Sequence, residues 1–366
     1  MLEWKKLGEV ISVHTGSQLN RNDMLENGTF PVINGGKNPS GYILEPNEKG
    51  ESITISQGGE SAGFVNWMDC DFWAGAHCYV VDYLLNVNKR YLYHFLKNSE
   101  HELMSSKQGA GIPGLNRNNL YKLVVPVPSI AEQTRIVGIL DTFTASIENL
   151  KQQIAQRRKQ YEHYRDQLLD LEGKEGVEMK TLGEVSIITG DYGLSVPSKP
   201  FDGVRYLRIT DITDSGGLND DRVSADLKED VKKEPLKDGD ILFARTGATV
   251  GKTLVYKKVF GECLYAGYLI RYRLNVEKVL PQYMFHITHS NNYYNWVSLS
   301  LAVGAQPNIS AQKYNSLLFP VPSLPEQQRI VSILDTFEAS IANLEQQLAQ
   351  RERQYEYYRN KLLTFE

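Results

Sequence analysis

The sequence predicts an α+β protein in which two strand-rich globular segments alternate with two long helices that pair as a coiled coil. The first observation is a duplication, because residues 126–172 recur as residues 320–366 with roughly two residues in three identical. The second is the composition of the segment before each copy, which is rich in glycine and in short β-prone runs. The chain is therefore a tandem repeat of one globular and one helical segment.

Each copy of the duplicated stretch opens with a helix start signal. A Pro-Val-Pro segment precedes Ser129 or Ser323, and a glutamate follows three residues later, which is the spacing of a capping box. Apolar residues then recur in alternating steps of four and three, the pattern of a coiled-coil seam, and Arg157 and Arg351 interrupt it at equivalent positions. The first seam residues of the two copies are Ile136, Leu140, Phe143, Ile147, Leu150, Ile330, Leu334, Phe337, Ile341 and Leu344.

About 40 helical residues at 1.5 Å each give a rod of roughly 60 Å. A lone rod would expose its apolar stripe, so each helix needs a partner, and the other copy is the nearest candidate. The alternative is that each stripe packs on its own globular segment. Repetition of the spacing over several heptads favours pairing of the two helices.

The globular segments are expected at about residues 17–125 and 191–319. In the first, strands are predicted at Phe30–Ile33 and Ser52–Ser56 and a helix at Lys89–Asn98, with glycine turns between the strands. In the second, the predicted strands are Arg205–Ile209, Asp240–Ala244, Thr253–Tyr256 and Leu269–Leu274, with a helix near Gln282–Ser290. Residues 3–10 and 178–185 share a Leu-Gly-Glu-Val motif, and Pro113 and Pro307 occupy matching places near the ends of the segments. The two globular segments differ in sequence between these shared motifs, which suggests that each segment recognises a different ligand.

Composition and charge narrow the class of protein. The chain has 366 residues, 41% hydrophobic and 23% charged, which is typical of a globular protein. The start has no signal-peptide pattern and no run reaches membrane-spanning length, so we expect a cytoplasmic protein without a membrane partner. Three cysteines form no zinc or disulfide pattern, and His77 beside Cys78 is at most half of a metal site. The net charge of −4 argues against nucleic-acid binding, which usually leaves a basic footprint.

Each motif that resembles a catalytic site lacks a residue or a spacing that the corresponding chemistry requires. Residues 247–253 resemble a phosphate-binding loop, but three residues separate the glycines where the motif needs four, so a glycine turn between two strands is favoured. Glu3 with Lys5 and Glu178 with Lys180 resemble nuclease pairs, but no strand acidic residue completes a metal site. The seven histidines have no evident triad partners. We therefore predict that the chain has no catalytic site and holds no metal.

Polar side chains next to the glycine loops are the remaining candidates for function. Their types hydrogen-bond base edges or phosphates, and neighbouring glycines permit close backbone approach. Each of them could instead be an ordinary solvated loop residue, and Arg245 could pair with an internal carboxylate such as Asp240. The candidates are Asn34, Lys37, Gln57, Lys107, Gln108, Asn116, Arg117, Arg205, Arg208, Arg245, Thr246, Thr249, Lys252 and Gln306.

The whole chain resembles the DNA-specificity subunits of type I restriction-modification enzymes. The segments that carry this resemblance are Pro-Val-Pro-Ser…Glu-Gln…Arg-Ile-Val…Ile-Leu-Asp at 126–141 and 320–335, Gly-Asp-Ile-Leu-Phe-Ala-Arg-Thr-Gly-Ala-Thr-Val-Gly-Lys at 239–252, and the Leu-Gly-Glu-Val starts. The resemblance implies a non-catalytic subunit whose two target recognition domains each read one half of a split sequence in double-stranded DNA. We place the first of these domains at residues 1–125, and a short linker together with the second domain at residues 173–319.

The resemblance also implies how the parts assemble. The conserved helices, 126–172 and 320–366, would pack antiparallel in a pseudo-two-fold repeat. Two methyltransferase subunits would dock on the helical region, and restriction and motor subunits would join for cleavage. S-adenosylmethionine, ATP and Mg²⁺ would bind to those partners, and this chain would need no cofactor. An alternative function, from the residues alone, is a coiled-coil adaptor whose two end domains bind ligands other than DNA.

Overall fold

The computed structural model describes residues 2–105, 114–227, 234–301 and 307–365. The chain divides into two compact units. Unit 1 comprises residues 1–152 and 345–366, and unit 2 comprises residues 153–344. Each unit therefore contains one globular segment and a part of both long helices.

The first half of the chain contains nine strands and five helices in its described residues. The strands are β1 (Glu3–Lys6), β2 (Ile11–Thr15), β3 (Phe30–Ile33), β4 (Tyr42–Ile43), β5 (Ser52–Ser56), β6 (Val65–Met68), β7 (Trp73–Ala74), β8 (Cys78–Tyr83) and β9 (Val124–Val127). The helices are α1 (Leu7–Val10), α2 (Lys89–Asn98), α3 (Glu100–Ser105), α4 (Arg117–Lys122) and the long helix α5 (Ile130–Leu169).

The second half repeats this order of elements with longer insertions. Its strands are β10 (Glu178–Thr181), β11 (Ser186–Tyr192), β12 (Ser198–Pro200), β13 (Arg205–Leu207), β14 (Val223–Ala225), β15 (Ile241–Ala244), β16 (Thr253–Val255), β17 (Cys263–Tyr265), β18 (Leu269–Leu274) and β19 (Leu318–Val321). Its helices are α6 (Pro281–Ile287), α7 (Asn291–Ser300), α8 (Ala311–Asn315) and the long helix α9 (Leu324–Thr364).

Unit 1 is built on an antiparallel sheet with the strand order β2-β8-β5-β6. Successive side chains of a strand point to opposite faces, so the two faces of β8 are filled by different residues. Tyr79 and Val81 belong to a core cluster with Leu92 of α2, whereas Cys78 and Val80 belong to another cluster with Ile33 of β3. The central strands are therefore buried on both faces.

Unit 2 contains an equivalent sheet with the order β11-β18-β15-β16. Phe243 of β15 belongs to the core cluster that includes α6, and its neighbour Leu242 belongs to a second cluster with Tyr265 of β17. In each unit a two-stranded ribbon, β1·β9 or β10·β19, leads from the sheet to a long helix. The two globular segments thus share a central sheet although their sequences differ.

The structure confirms several predicted elements with the same bounds, namely Phe30–Ile33, Ser52–Ser56, Leu269–Leu274 and the helix Lys89–Asn98. The predicted strand Arg205–Ile209 stops at Leu207, because the N–H of Arg208 binds Asp211 in a turn. The helix predicted near Gln282–Ser290 ends at Ile287, since Ser290 caps the next helix. Residues 247–249 form one turn of 3-10 helix between β15 and β16, so the glycine-turn interpretation is confirmed.

The long helices pair antiparallel. In unit 1 the ring of Phe143, near the start of α5, stacks on Tyr358, near the end of α9, with centroids 5.4 Å apart. In unit 2 Tyr164, near the end of α5, stacks on Phe337, near the start of α9, also at 5.4 Å. Both α5 and α9 continue through the two units, so the two contacts together define an antiparallel pair.

The apolar stripe of the long helix packs both on the partner helix and on the globular segment. Pairing of the two helices and packing on the globular segment, the two alternatives from the sequence, therefore both occur. Ile136 and Leu140 are buried with Leu363 of α9 and also with Tyr91 of α2. The two arginines that interrupt the seam lie over aromatic rings, Arg157 at 5.8 Å from Phe337 and Arg351 at 5.6 Å from Phe143. Such a cation–π contact lets the charged head remain near water at a seam position. Among the described residues, each helix is too short or too polar to cross a membrane.

A buried glutamine near the start of each long helix holds the globular segment. Gln133 accepts a hydrogen bond from the N–H of Asn88 and donates one to the carbonyl of Pro128, both at 2.8 Å. Gln327 likewise accepts from the N–H of Leu280 at 2.9 Å and donates to the carbonyls of Lys278 and Pro322. These bonds satisfy backbone groups at buried and partly buried positions.

Buried histidines of the globular segments make the same kind of connection about two helical turns further along each long helix. Nε2 of His94 lies 2.7 Å from Asp141 on α5, and Nε2 of His286 lies 2.9 Å from Asp335 on α9. Burial lowers the pKa of His94, although the hydrogen bond to Asp141 opposes this shift. Each globular segment is therefore attached to its helix by polar contacts that both copies share.

We expect Gln327→Leu to destabilise unit 2 by about 2–4 kcal/mol, because it removes the partner of a buried carbonyl and of an N–H and a carbonyl that are partly buried. Gln327 is fully buried, whereas its neighbour Gln328 is exposed. The change should lower the midpoint of thermal unfolding measured by circular dichroism, and Gln328→Leu is the matched control. Equal midpoints for the two variants would contradict the anchoring role of Gln327.

Candidate nucleic-acid interface

Two glycine turns occupy equivalent places in the two sheets. We define turn 1 as Gln57–Phe64, between β5 and β6, and turn 2 as Arg245–Lys252, between β15 and β16. Both have eight residues, and each has two glycines with positive φ, at +78° and +92° in turn 1 and at +69° and +89° in turn 2. An L-residue rarely adopts these angles, so the glycines are required by the turn itself.

The backbone hydrogen bonds of the two turns also match. The N–H of Gln57 donates to the carbonyl of His77 at 2.9 Å, and the N–H of Arg245 donates to the carbonyl of Tyr268 at 3.0 Å. Further equivalent bonds join residues 63 to 56, 64 to 61, 251 to 244 and 252 to 249. Gln57 and Arg245 therefore occupy the same backbone position in the two turns. Aligning the two halves of the sequence at the offset of the duplicated helices does not pair these two residues.

A short segment that we call the closing segment binds each turn from the other side. It contains Leu115 and Asn116 in unit 1 and Ile309 and Ser310 in unit 2. The N–H of Leu115 donates to the carbonyl of Gln57 at 2.7 Å, and the N–H of Ile309 donates to the carbonyl of Arg245 at 2.9 Å. The next residue in each segment caps a short helix, since the Asn116 side chain accepts from the N–H of Asn118 and Ser310 accepts from Lys313. The structure therefore gives the candidate Asn116 a capping role.

The guanidinium of Arg245 in turn 2 is held in place by two neighbouring side chains. Its guanidinium carbon lies 4.9 Å from the centre of the Tyr192 ring, and its Nε donates to Oδ1 of Asn308 at 3.2 Å. The internal carboxylate considered as an alternative partner, Asp240, is held instead by Arg273 at 2.6 Å. Arg245 is partly exposed, so a ligand outside the domain can approach it.

The other candidates in turn 2 have contacts within the domain. The hydroxyl of Thr249 donates to the carbonyl of Thr246 at 3.2 Å, and Thr246 forms a β-bridge with Asn308. Lys252 pairs with Asp214, whose side chain is 94% exposed, at 2.7 Å. An ion pair so accessible to water contributes little stability, so Lys252 can exchange this partner for a phosphate at small cost.

Two arginines of unit 2 that the sequence proposed as contacts are used inside the domain. Arg205 is 6% exposed, and its guanidinium donates to the carbonyls of Asn219 and Asp221 at 2.8 Å. Arg208 pairs with Asp211 and Asp221, and the hydrogen bond that it donates to Asp211 is the main cause of the raised pKa of its guanidinium. Both arginines therefore stabilise the loop around Asp221.

In unit 1 the candidates around turn 1 differ in their accessibility. Oδ1 of Asn34 is buried against Gly75, so this side chain packs inside the domain. Lys37 is exposed with its Nζ 5.8 Å from the Phe64 ring, and Arg117 is exposed over the Tyr79 ring at 5.2 Å. Gln57 is partly exposed. Lys107, Gln108 and Gln306 lie outside the described residues.

Sequence reasoning missed three residues that surround Arg245. Tyr192 and Asn308 contact its guanidinium, and Tyr268, which is 60% exposed, accepts its backbone N–H. The available signal was the position of Tyr268, an aromatic residue directly after Gly267 and directly before a predicted strand. Exposed aromatic and cationic groups beside a glycine turn can stack on bases and bind phosphates.

Comparison with known proteins gives the family context of this site. The family model for the type I restriction modification DNA specificity domain matches residues 1–157 and 174–353. A putative type I restriction enzyme specificity subunit from Haemophilus influenzae is 28% identical, over 100% of this chain and 96% of its own length. A type I restriction enzyme specificity subunit from Escherichia coli is 29% identical, over 100% of this chain and 94% of its own length.

Solved structures show the same fold. The S subunit of a type I restriction-modification system from M. genitalium superposes with a TM-score of 0.68 at 17% identity, covering 99% of this chain and 96% of its own. A chain from a structure of type I restriction-modification complex assembly has a TM-score of 0.59 at 20% identity, covering 99% of this chain and 97% of its own. This chain therefore has the fold of a known S subunit.

Proposed function

The chain belongs to the type I restriction modification DNA specificity family, and from this premise we propose that each of its units reads one half of a bipartite DNA sequence. Membership makes the chain a specificity subunit, which recognises DNA sequence and leaves catalysis to other subunits. The observation that carries the proposal is the pair of matched turns, because one frame that presents different side chains twice suits the reading of two different half-sites.

We place the contacts with DNA at turn 1 and turn 2. Support comes from partly exposed Gln57 and Arg245, from Lys37 and Arg117 near turn 1, and from Lys252 with Tyr268 near turn 2. Bases would be read by the amide and guanidinium groups, and phosphates would be held by the lysines. The net charge of −4 is compatible with this assignment if partner subunits supply much of the phosphate contact.

The subunit assembles with other subunits of the restriction-modification system. We propose that two methyltransferase subunits dock on the duplicated helical region and that restriction and motor subunits join them. The nearly identical helical copies support two equivalent docking places for one kind of partner. S-adenosylmethionine, ATP and Mg²⁺ would then be bound by those partner subunits.

We also propose that the paired helices set the spacing between the two half-sites. The globular segments are attached to them by equivalent contacts of Gln133 and Gln327, and each helix is continuous for 40 or 41 residues. An unbroken helix is stiff over this length, so the length of the helices would set the distance between the two recognition domains that are fixed to them. The domain limits of 1–125 and 173–319 remain part of this proposal.

We expect the isolated chain neither to methylate nor to cut DNA, because it is a specificity subunit. The test supplies the purified chain with S-adenosylmethionine, ATP, Mg²⁺ and a plasmid that carries the target. Methyl transfer and cleavage should appear only when the cognate partner subunits are added, which is the positive control. Either activity in a preparation free of partner subunits would refute the proposal.

A further inference from the structure

We propose that Gln57 and Arg245 are equivalent purine-reading residues, Gln57 for adenine in one half-site and Arg245 for guanine in the other. The inference rests on the proposed function and adds the base that each turn selects. It starts from the backbone, since both residues donate to a residue that precedes a central strand and accept from a buried residue of the closing segment. Two such bonds fix the peptide planes on both sides of each residue, so the side chains leave the two turns from the same place.

The chemistry of the two side chains favours bases over phosphates. A phosphate contact that neutralises charge in both units would use a cation in both, whereas one residue here is a neutral amide. Glutamine and arginine are the residue types that make paired hydrogen bonds with adenine and with guanine in the major groove. The remaining turn positions do not offer such a pair, since Gly58 stands opposite Thr246 and Glu60 opposite Ala248.

Arg245 is prepared for a two-bond contact by its neighbours. The Tyr192 ring supports one face of the guanidinium, and the bond to Asn308 uses Nε. Within the described residues, this leaves both terminal amino groups for an external acceptor, and guanine offers O6 and N7 side by side. A lysine at this position would keep the charge but lose the fork.

The test uses the complete complex with its cognate partner subunits, after methylome sequencing has defined the wild-type target. Affinity is measured for duplexes in which each base pair of the target is replaced in turn. For the wild type, replacing the pair read by Arg245 or by Gln57 should cost about 5- to 150-fold in affinity. Arg245→Lys should weaken this preference at a single G·C pair of one half-site, because lysine keeps the charge without the fork, and Gln57→Ala should remove it at a single A·T pair of the other.

The controls separate a reading role from a structural one. Arg222→Lys changes an exposed arginine that also lies over a ring, 6.0 Å from Phe201, and should leave every base preference unchanged. The half-site not read by the altered residue should keep its profile, which also checks that the complex is folded. Arg245→Gln is the second variant, and it should lose the guanine preference that Arg245→Lys only weakens.

Three results would overturn the inference while leaving the proposed function intact. These are equal weakening on all duplexes, which indicates a phosphate contact, loss of preference at an A·T pair for the Arg245 variants or at a G·C pair for Gln57→Ala, and an unchanged profile. If the wild-type complex itself showed no bipartite preference, the proposed function would fail instead.

Discussion

Replacing residues 17–123 with the corresponding segment of another family member should change one half of the recognised sequence and leave the other half unchanged. The sheet of unit 1 and its two core clusters lie within residues 7–125, so the segment carries most of its own packing. The graft should end at Leu123 so that the ribbon register Lys6 with Val124 is preserved. Methylome sequencing of a host that carries the chimaera would identify the modified half-site.

The attachment to α5 limits which donor segments will fold. Gln133 binds the backbone of residue 88, but Asp141 requires the ring of His94, and the carbonyl of Pro126 requires the hydroxyl of Tyr91. Donors that keep this tyrosine and histidine should give stable chimaeras, and donors without them serve as the negative control. A reciprocal graft in unit 2 should change only the other half-site. Alteration of both halves by one graft would contradict independent reading.

Lengthening both long helices by four residues should widen the unread gap of the target by about two base pairs. Four residues add about 6 Å of helix, and B-DNA rises 3.4 Å per base pair. The insertions belong after Gln152 in α5 and after the equivalent Gln346 in α9, which leaves the stacked pairs Phe143 with Tyr358 and Tyr164 with Phe337 intact. Methylome sequencing should find the same two half-sites with a longer gap.

The rotation of the helices makes the expected binding weaker than that of the wild type. Four residues turn the end of a helix by roughly 40° beyond one full turn, whereas two base pairs turn DNA by roughly 70°. An insertion in α5 alone is the control, because the two stacked pairs then cannot both form, and it should lower the thermal midpoint. Retained modification with an unchanged gap would show that the helices do not set the spacing.

The sequence alone was enough to predict the duplication, the two long helices and the central strands. Helix starts and seams depend on residues no more than a few positions apart, as in the Ser129 cap, whose hydroxyl accepts from the N–H of Glu132 at 3.3 Å. Central strands such as Leu269–Leu274 are recognisable because they are buried on both faces and therefore continuously apolar or aromatic, apart from arginines paired within the sheet. These features are local, so they could be inferred before any tertiary contact was known.

The assignment of individual site residues depended on contacts between distant parts of the chain. The sequence grouped Arg205, Arg208 and Arg245 as equal candidates, but folding buries the first against residues 219–221, pairs the second with Asp211, and leaves the third partly exposed over Tyr192. Likewise, Gln57 and Arg245 became equivalent only through strand pairing and the closing segments, which join residues about 60 positions apart. The partner of a charged side chain is decided by the register of strands and loops, and only the tertiary structure contains that register.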